Sequence, residues 1–97
     1  MKPTELIQKV CDIWDVPLNK ITGKQPQFCE ARYAYFWKMK ELFPDMFLRQ
    51  IGELNERKFS PQAVHEAFRR HHELMSTNID YKIKYRELES MFVQIAA

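Results

Sequence analysis

The side chains with the strongest claim to chemistry lie between Arg57 and His72. On a helix, Gln62, His65, Glu66 and Arg69 share one polar face, because each follows another by three or four residues. These residue types read base edges in the DNA major groove. Gln pairs bidentately with adenine, Arg with guanine, and Glu accepts from cytosine. Between Arg57 and His72 the cations Arg57, Lys58, Arg69 and Arg70 face the single acid Glu66, a local net of +3 in a chain of formal charge +2. Gln62, His65 and Arg69 are therefore candidate base contacts. Lys24, Arg32, Arg57, Lys58 and Arg70 are candidate phosphate contacts, which position a protein without specifying sequence.

Other chemistry finds little support. The sequence contains no GxSxG, HExxH or P-loop pattern, and neither of its two glycines sits in a phosphate-cradling loop. No enzymatic activity is expected, and no cofactor. His65 and His71 are six apart and do not share a helical face as metal ligands would, so no metal is expected. His71 falls on an apolar stripe and reads as a residue at the edge of the core. Cys11 and Cys29 have no CxxC spacing and lie among apolar residues, so both are expected as buried free thiols in a reducing compartment.

The elements that must position these residues are all helical. A first helix opens at Pro3-Thr4-Glu5 with Thr4 as N-cap, carries Leu6, Val10 and Ile13 at helical spacing, and ends near Asp15 ahead of Pro17. A loop over 16–25 follows. A second helix spans 27–43, with Phe28, Ala31, Tyr35 and Met39 as its apolar stripe and Arg32, Lys38 and Lys40 pointing elsewhere. Asp45 is expected to cap a short third helix through Phe47, Leu48, Ile51 and Leu54, and 55–58 is a polar turn. Ser60-Pro61 starts a fourth helix that runs to Leu74, with Val64, Ala67, Phe68 and His71 inward. Ser76-Thr77-Asn78 breaks the chain before a fifth helix whose seam is Tyr81, Tyr85, Leu88, Phe92 and Ile95. The expectation is one all-α domain over 1–97, a five-helix bundle without strands, containing a helix-turn-helix at about 46–74. Gly52 serves in it either as a helix C-cap or to let two helices approach closely.

Composition agrees. Of the 97 residues, 45% are hydrophobic and 29% charged, with 7 Phe, 4 Tyr and 2 Trp, which argues against disorder. The longest apolar run, Tyr33 to Trp37, is too short to cross a membrane, and no signal-peptide core is present. No membrane association is expected, and the expected location is cytoplasmic.

Three segments carry a resemblance: Ala31-Arg32-Tyr33-Ala34-Tyr35-Phe36, Leu48-Arg49-Gln50-Ile51-Gly52 and Val64-His65-Glu66-Ala67. In order and spacing the chain resembles, over roughly residues 5–90, the C-terminal DNA-binding domain of the bacterial replication initiator DnaA, and Leu74 to Glu89 resembles the tail helix of some members. The resemblance implies a helix-turn-helix fold of the Trp-repressor-like kind that binds double-stranded DNA. The departures fall on the outer face. The family's Gly-Gly-Arg-Asp-His-Ser/Thr-Thr signature is replaced by Asn55-Glu56-Arg57-Lys58-Phe59-Ser60-Pro61-Gln62, with one extra residue relative to Ile51. Only Arg57 or Lys58 stands for the family's arginine. Lys24 matches a basic-loop position, but Gln25 and Pro26 stand where cations are usual. The family's own box is therefore not the expected target.

Two functions remain in view. The first is a stand-alone helix-turn-helix module on duplex DNA. The second is a helical protein-interaction adaptor that kept the fold and lost the DNA surface, with Tyr33, Trp37 and Phe47 as anchors.

Overall fold

The computed structural model describes residues 2–96, with side chains through Phe92. Among these it contains five α-helices: α1 (Pro3–Trp14), α2 (Pro26–Leu42), α3 (Leu48–Ile51), α4 (Pro61–Thr77) and α5 (Ile79–Ala96). A 3₁₀ turn, Leu18–Lys20, interrupts the first loop. The expected absence of strands needs correcting. Glu53–Leu54 (β1) and Arg57–Lys58 (β2) pair antiparallel, Glu53 opposite Lys58 and Leu54 opposite Arg57.

This hairpin replaces the expected end of the third helix and the short polar turn. Helix α3 stops at Ile51, and the Gly52 carbonyl accepts a hydrogen bond from the Phe59 N–H at 2.9 Å. Leu54 is buried, as its spacing after Ile51 suggested, but it reaches the core from a strand. Gly52 fulfils its expected role as a cap, and the backbone it lets approach is the connector at Phe59 and not a second helix. Gly52 is the C-cap of α3, and a Cβ there would stand 2.5 Å from the Phe59 carbonyl oxygen. Asp45 caps nothing. The first turn of α3 is closed instead by Gln50 Oε1, which accepts the Phe47 N–H.

The hairpin turn is Asn55-Glu56, with φ of 49° and 66°. A two-residue turn with both φ positive is the mirror-image type that suits strand twist, and its second position favours glycine. Asn tolerates this region, whereas Glu does not. Glu56→Gly is expected to stabilise the protein by roughly 1 kcal/mol in urea unfolding, because it removes a left-handed strain of about that size. An unchanged or lowered midpoint would show that the turn is relaxed.

The helix ends follow local chemistry. Pro3 takes the first helical position of α1, so the N-cap is Lys2 and not Thr4, and Asp15 closes the helix in the left-handed region. Ser60 Oγ accepts the Ala63 N–H at 3.1 Å, which makes Ser60 the N-cap of α4 as expected. Helix α4 runs past Leu74 to Thr77. Ser76 and Thr77 do not break it, because their hydroxyls donate back to the Glu73 carbonyl at 2.9 and 2.8 Å. The break falls at Asn78, whose Oδ1 accepts the Tyr81 N–H and starts α5.

Helix α2 runs through the middle and packs on α1, α3 and α4, while α5 closes the far side against α1 and α4. Leu6, Val10, Ile21, Ala31, Ala34, Phe36, Ile51, Val64, Tyr81 and Leu88 are all buried in one core. Ile95, the last expected seam residue of α5, lies outside the described side chains. Lys38 was expected to point away from the core. It is buried, with Nζ 4.9 Å from the centre of the Phe92 ring and 3.7 Å from Glu41. A helix with neighbours on most of its sides has no polar face to which such a lysine could turn.

Candidate nucleic-acid interface

The N-terminal turns of α4 carry the exposed polar residues. The Ser60 cap and Pro61 at the first position fix where the helix begins. Gln62 is exposed in the first turn, and exposed His65 follows one turn later with its ring edge against Phe68 at 5.9 Å. Glu66, Arg69 and Glu73 continue the same outer face.

Tertiary contacts join the first loop and the hairpin. Arg57, on β2, donates from Nη1 to the Thr22 carbonyl at 2.9 Å. Asn55 donates from Nδ2 to the Leu18 carbonyl at 2.6 Å. Arg32, on α2, holds the same loop from the other side and donates from Nη1 to the carbonyls of Ile21 at 2.9 Å and Gly23 at 2.7 Å. Its Nη2 lies 3.4 Å from Cys29 Sγ. Both guanidinium groups lie over the Phe59 ring, Arg57 at 4.4 Å and Arg32 at 5.1 Å from its centre, and the ring packs edge-on against Phe36. Lys24 and Lys58 flank this clasp and are exposed.

The clasp changes the part played by Arg32. Offered by its sequence as a phosphate contact, it is half-buried with its guanidinium turned inward onto carbonyls. Arg57 is exposed, although one of its nitrogens is spent on Thr22. Phe59, Thr22 and Asn55 were not singled out as functional. The one sequence signal was Phe59 itself, an isolated aromatic in a run of charged and polar residues.

Arg69 and Arg70 are held by acids of their own helix. Arg69 donates from Nε to Glu66 Oε2 at 3.0 Å and from Nη1 to Glu73 Oε2 at 3.1 Å. Arg70 lies 3.4 Å from Glu73 and 3.7 Å from Glu66. The hydrogen bond from Arg69 holds the Glu66 carboxyl below the usual carboxylate range. The charge count that ended at His72 stopped one residue before Glu73. With Glu73 at one end and Glu56 at the other, four cations face three acids, 4 − 3 = +1, and Glu53 stands opposite Lys58 in the hairpin.

Beside this face, Lys24, Tyr33 and Arg70 line a shallow groove between the start of α2 and α4. Cys29 lies at its edge, so the expectation of two shielded thiols needs correcting. Both cysteines are free, but only Cys11 is buried, and burial pushes its thiol up to about 11. The difference follows from position, since α5 covers α1 whereas Cys29 faces the loop held by Arg32. Of the aromatics offered as protein anchors, Tyr33 and Trp37 are half-buried and Phe47 is exposed. Trp37 stacks on His71 and packs edge-on against Phe68 and His72.

No helix among the described residues is long and apolar enough to cross a membrane. Comparison with family models, with curated proteins and with solved structures gives no match to this chain.

Proposed function

We propose that this chain is a duplex-DNA-binding module, in which the first two turns of α4 enter the major groove and the clasped connectors grip the phosphate backbone. The observation that carries this reading is the hydrogen bond from Arg57 to the Thr22 carbonyl. It draws Arg57 and Lys58 of the hairpin and the basic first loop together at the start of α4. Lys24, Arg57 and Lys58 then supply positive charge next to an exposed helix end, an arrangement that favours phosphate. Gln62 and His65 are the base-reading side chains, assigned from their exposure on the first two turns of α4, and the Leu48–Gly52 and Val64–Ala67 resemblance to the initiator's DNA-binding domain supports only the pairing of α3 with α4 as a helix-turn-helix.

The test is a fluorescence titration of the chain against a preferred duplex, selected from random sequence, and a scrambled one. Lys24→Ala and Lys58→Ala are expected to weaken binding to both duplexes and to flatten the salt dependence by about 0.9 log unit per lost phosphate contact. Gln62→Ala is expected to act on the preferred duplex, with a loss of discrimination of ~1–3 kcal/mol. If the wild-type chain binds no duplex at low salt, the adaptor reading replaces this one. Its support is Phe47, at 68% exposure the second most exposed large hydrophobic side chain among the described residues.

A further inference from the structure

The second half of the outer face of α4 is electrostatically closed. Its two arginines are each shared between the same two carboxylates: Arg69 bonds Glu66 and Glu73, and Arg70 approaches both. All four residues are exposed. Isolated surface ion pairs of this kind add little to stability, so stability alone does not account for a face in which every cation is matched.

The arrangement has a definite consequence at a DNA surface. A guanidinium that leaves its carboxylate for a phosphate exchanges one charged partner for another. The abandoned carboxylate is then pressed against the polyanion without a partner, and a desolvated unpaired charge is costly. The exchange therefore brings no net gain, and these arginines contribute nothing to sequence-independent attraction. Lys24, Arg57 and Lys58, on the connectors beside this face, have no carboxylate within ion-pair distance among the described residues.

Resting on the DNA-binding reading above, we propose that Glu66 and Glu73 are specificity-determining residues. They occupy Arg69 and Arg70 as internal substitutes for phosphate and keep non-specific affinity low. Binding then depends on the short segment around Gln62 and His65, and only a duplex that satisfies that segment is held.

The experiment compares the wild-type chain with the doubly neutralised variant Glu66→Gln, Glu73→Gln on preferred and scrambled duplexes, each over a salt series. Circular dichroism checks that both are equally helical. In the variant both arginines become phosphate contacts. Two added contacts deepen the loss of affinity between 50 and 200 mM salt by roughly tenfold. The scrambled duplex is expected to be bound about tenfold more tightly at the low-salt end, and the preference for the best sequence to shrink. A second pair of variants guards against indirect effects. Arg69→Ala with Arg70→Ala is expected to abolish the gain in the neutralised background, and to weaken scrambled-duplex binding in the wild-type background, where it leaves Glu66 and Glu73 without partners. Equal affinities and equal salt slopes for wild type and the neutralised variant would overturn the proposal while leaving DNA binding intact. Absence of binding by both proteins at low salt would overturn the DNA reading and this proposal with it.

Discussion

Acidification from about pH 7 to about pH 4 is expected to destabilise the protein steeply, with His71 as the main cause. His71 is buried on the inner face of α4. Its Nδ1 shares a 2.6 Å hydrogen bond with the Tyr81 hydroxyl of α5, and its ring stacks on Trp37 of α2. Burial, then the neighbouring His72, then Lys38 press its pKa from 6.5 down to about 3. In the unfolded chain the imidazole takes a proton below about pH 6.5, whereas in the folded protein it stays neutral to about pH 3. The unfolded state thus binds more protons throughout that window. The stabilisation is complete above the upper value and is lost as pH falls toward the lower one. Each pH unit inside the window costs about 1.4 kcal/mol, so on the order of 3–5 kcal/mol is at stake. Urea midpoints at several pH values check this. His71→Gln retains a hydrogen-bonding partner for Tyr81 but cannot titrate. It is expected to cost about 1–2 kcal/mol at neutral pH and to flatten the acid slope. An equally steep slope in the variant would assign the acid sensitivity to the carboxylates.

Phe59→Ala is expected to cost about 2–3 kcal/mol, at or below the low end for a core phenylalanine because the ring is only half-buried. The ring packs edge-on against Phe36 and carries the guanidinium groups of Arg32 and Arg57 over it. Its loss opens a gap under the hairpin and loosens both arginines at once. Phe59→Leu separates the contributions. It keeps most of the apolar volume and loses the ring's own interactions, the cation–ring attraction at about 0.5–1 kcal/mol per exposed pair and the edge-on contact with Phe36 at about 0.5–1.5 kcal/mol. Unfolding of the three proteins, followed by duplex titration under folded conditions, reads both effects. If Phe59→Ala unfolds like wild type, the clasp rests on the hydrogen bonds to Thr22, Ile21 and Gly23 alone. Under the DNA reading, Phe59→Ala also weakens binding to every duplex, since the two connectors no longer meet.

The helical architecture was legible in the residue pattern. Leu6 and Val10, then Phe28, Ala31 and Tyr35, then Val64, Ala67 and His71 repeat at helical spacing and are buried, whereas Ile13, the third residue of the first stripe, is only half-buried and its neighbour Trp14 fills the core. Ser60 and Pro61 announced the start of α4 because capping is local chemistry, settled by a side chain and the backbone three residues on. Asn78 capped α5 for the same reason.

What the sequence could not determine depends on residues far apart in the chain. Arg32 and Arg57 read as surface cations until the fold sets the carbonyls of Ile21, Thr22 and Gly23 within their reach. Lys38 read as exposed because α5, which covers it, lies more than forty residues away along the chain. The hairpin was hidden because Asn55-Glu56 lacks the glycine that marks such a turn, and the tie from Asn55 to Leu18 helps hold it. Periodicity and caps report interactions within a few residues, and these the sequence determined by itself. The pairing of Arg69 and Arg70 with Glu66 and Glu73 is of that short-range kind, three and four residues apart on one helix, whereas the partners of Arg32, Arg57 and Lys38 lie far along the chain or on a helix packed from elsewhere, and only the tertiary structure decided them.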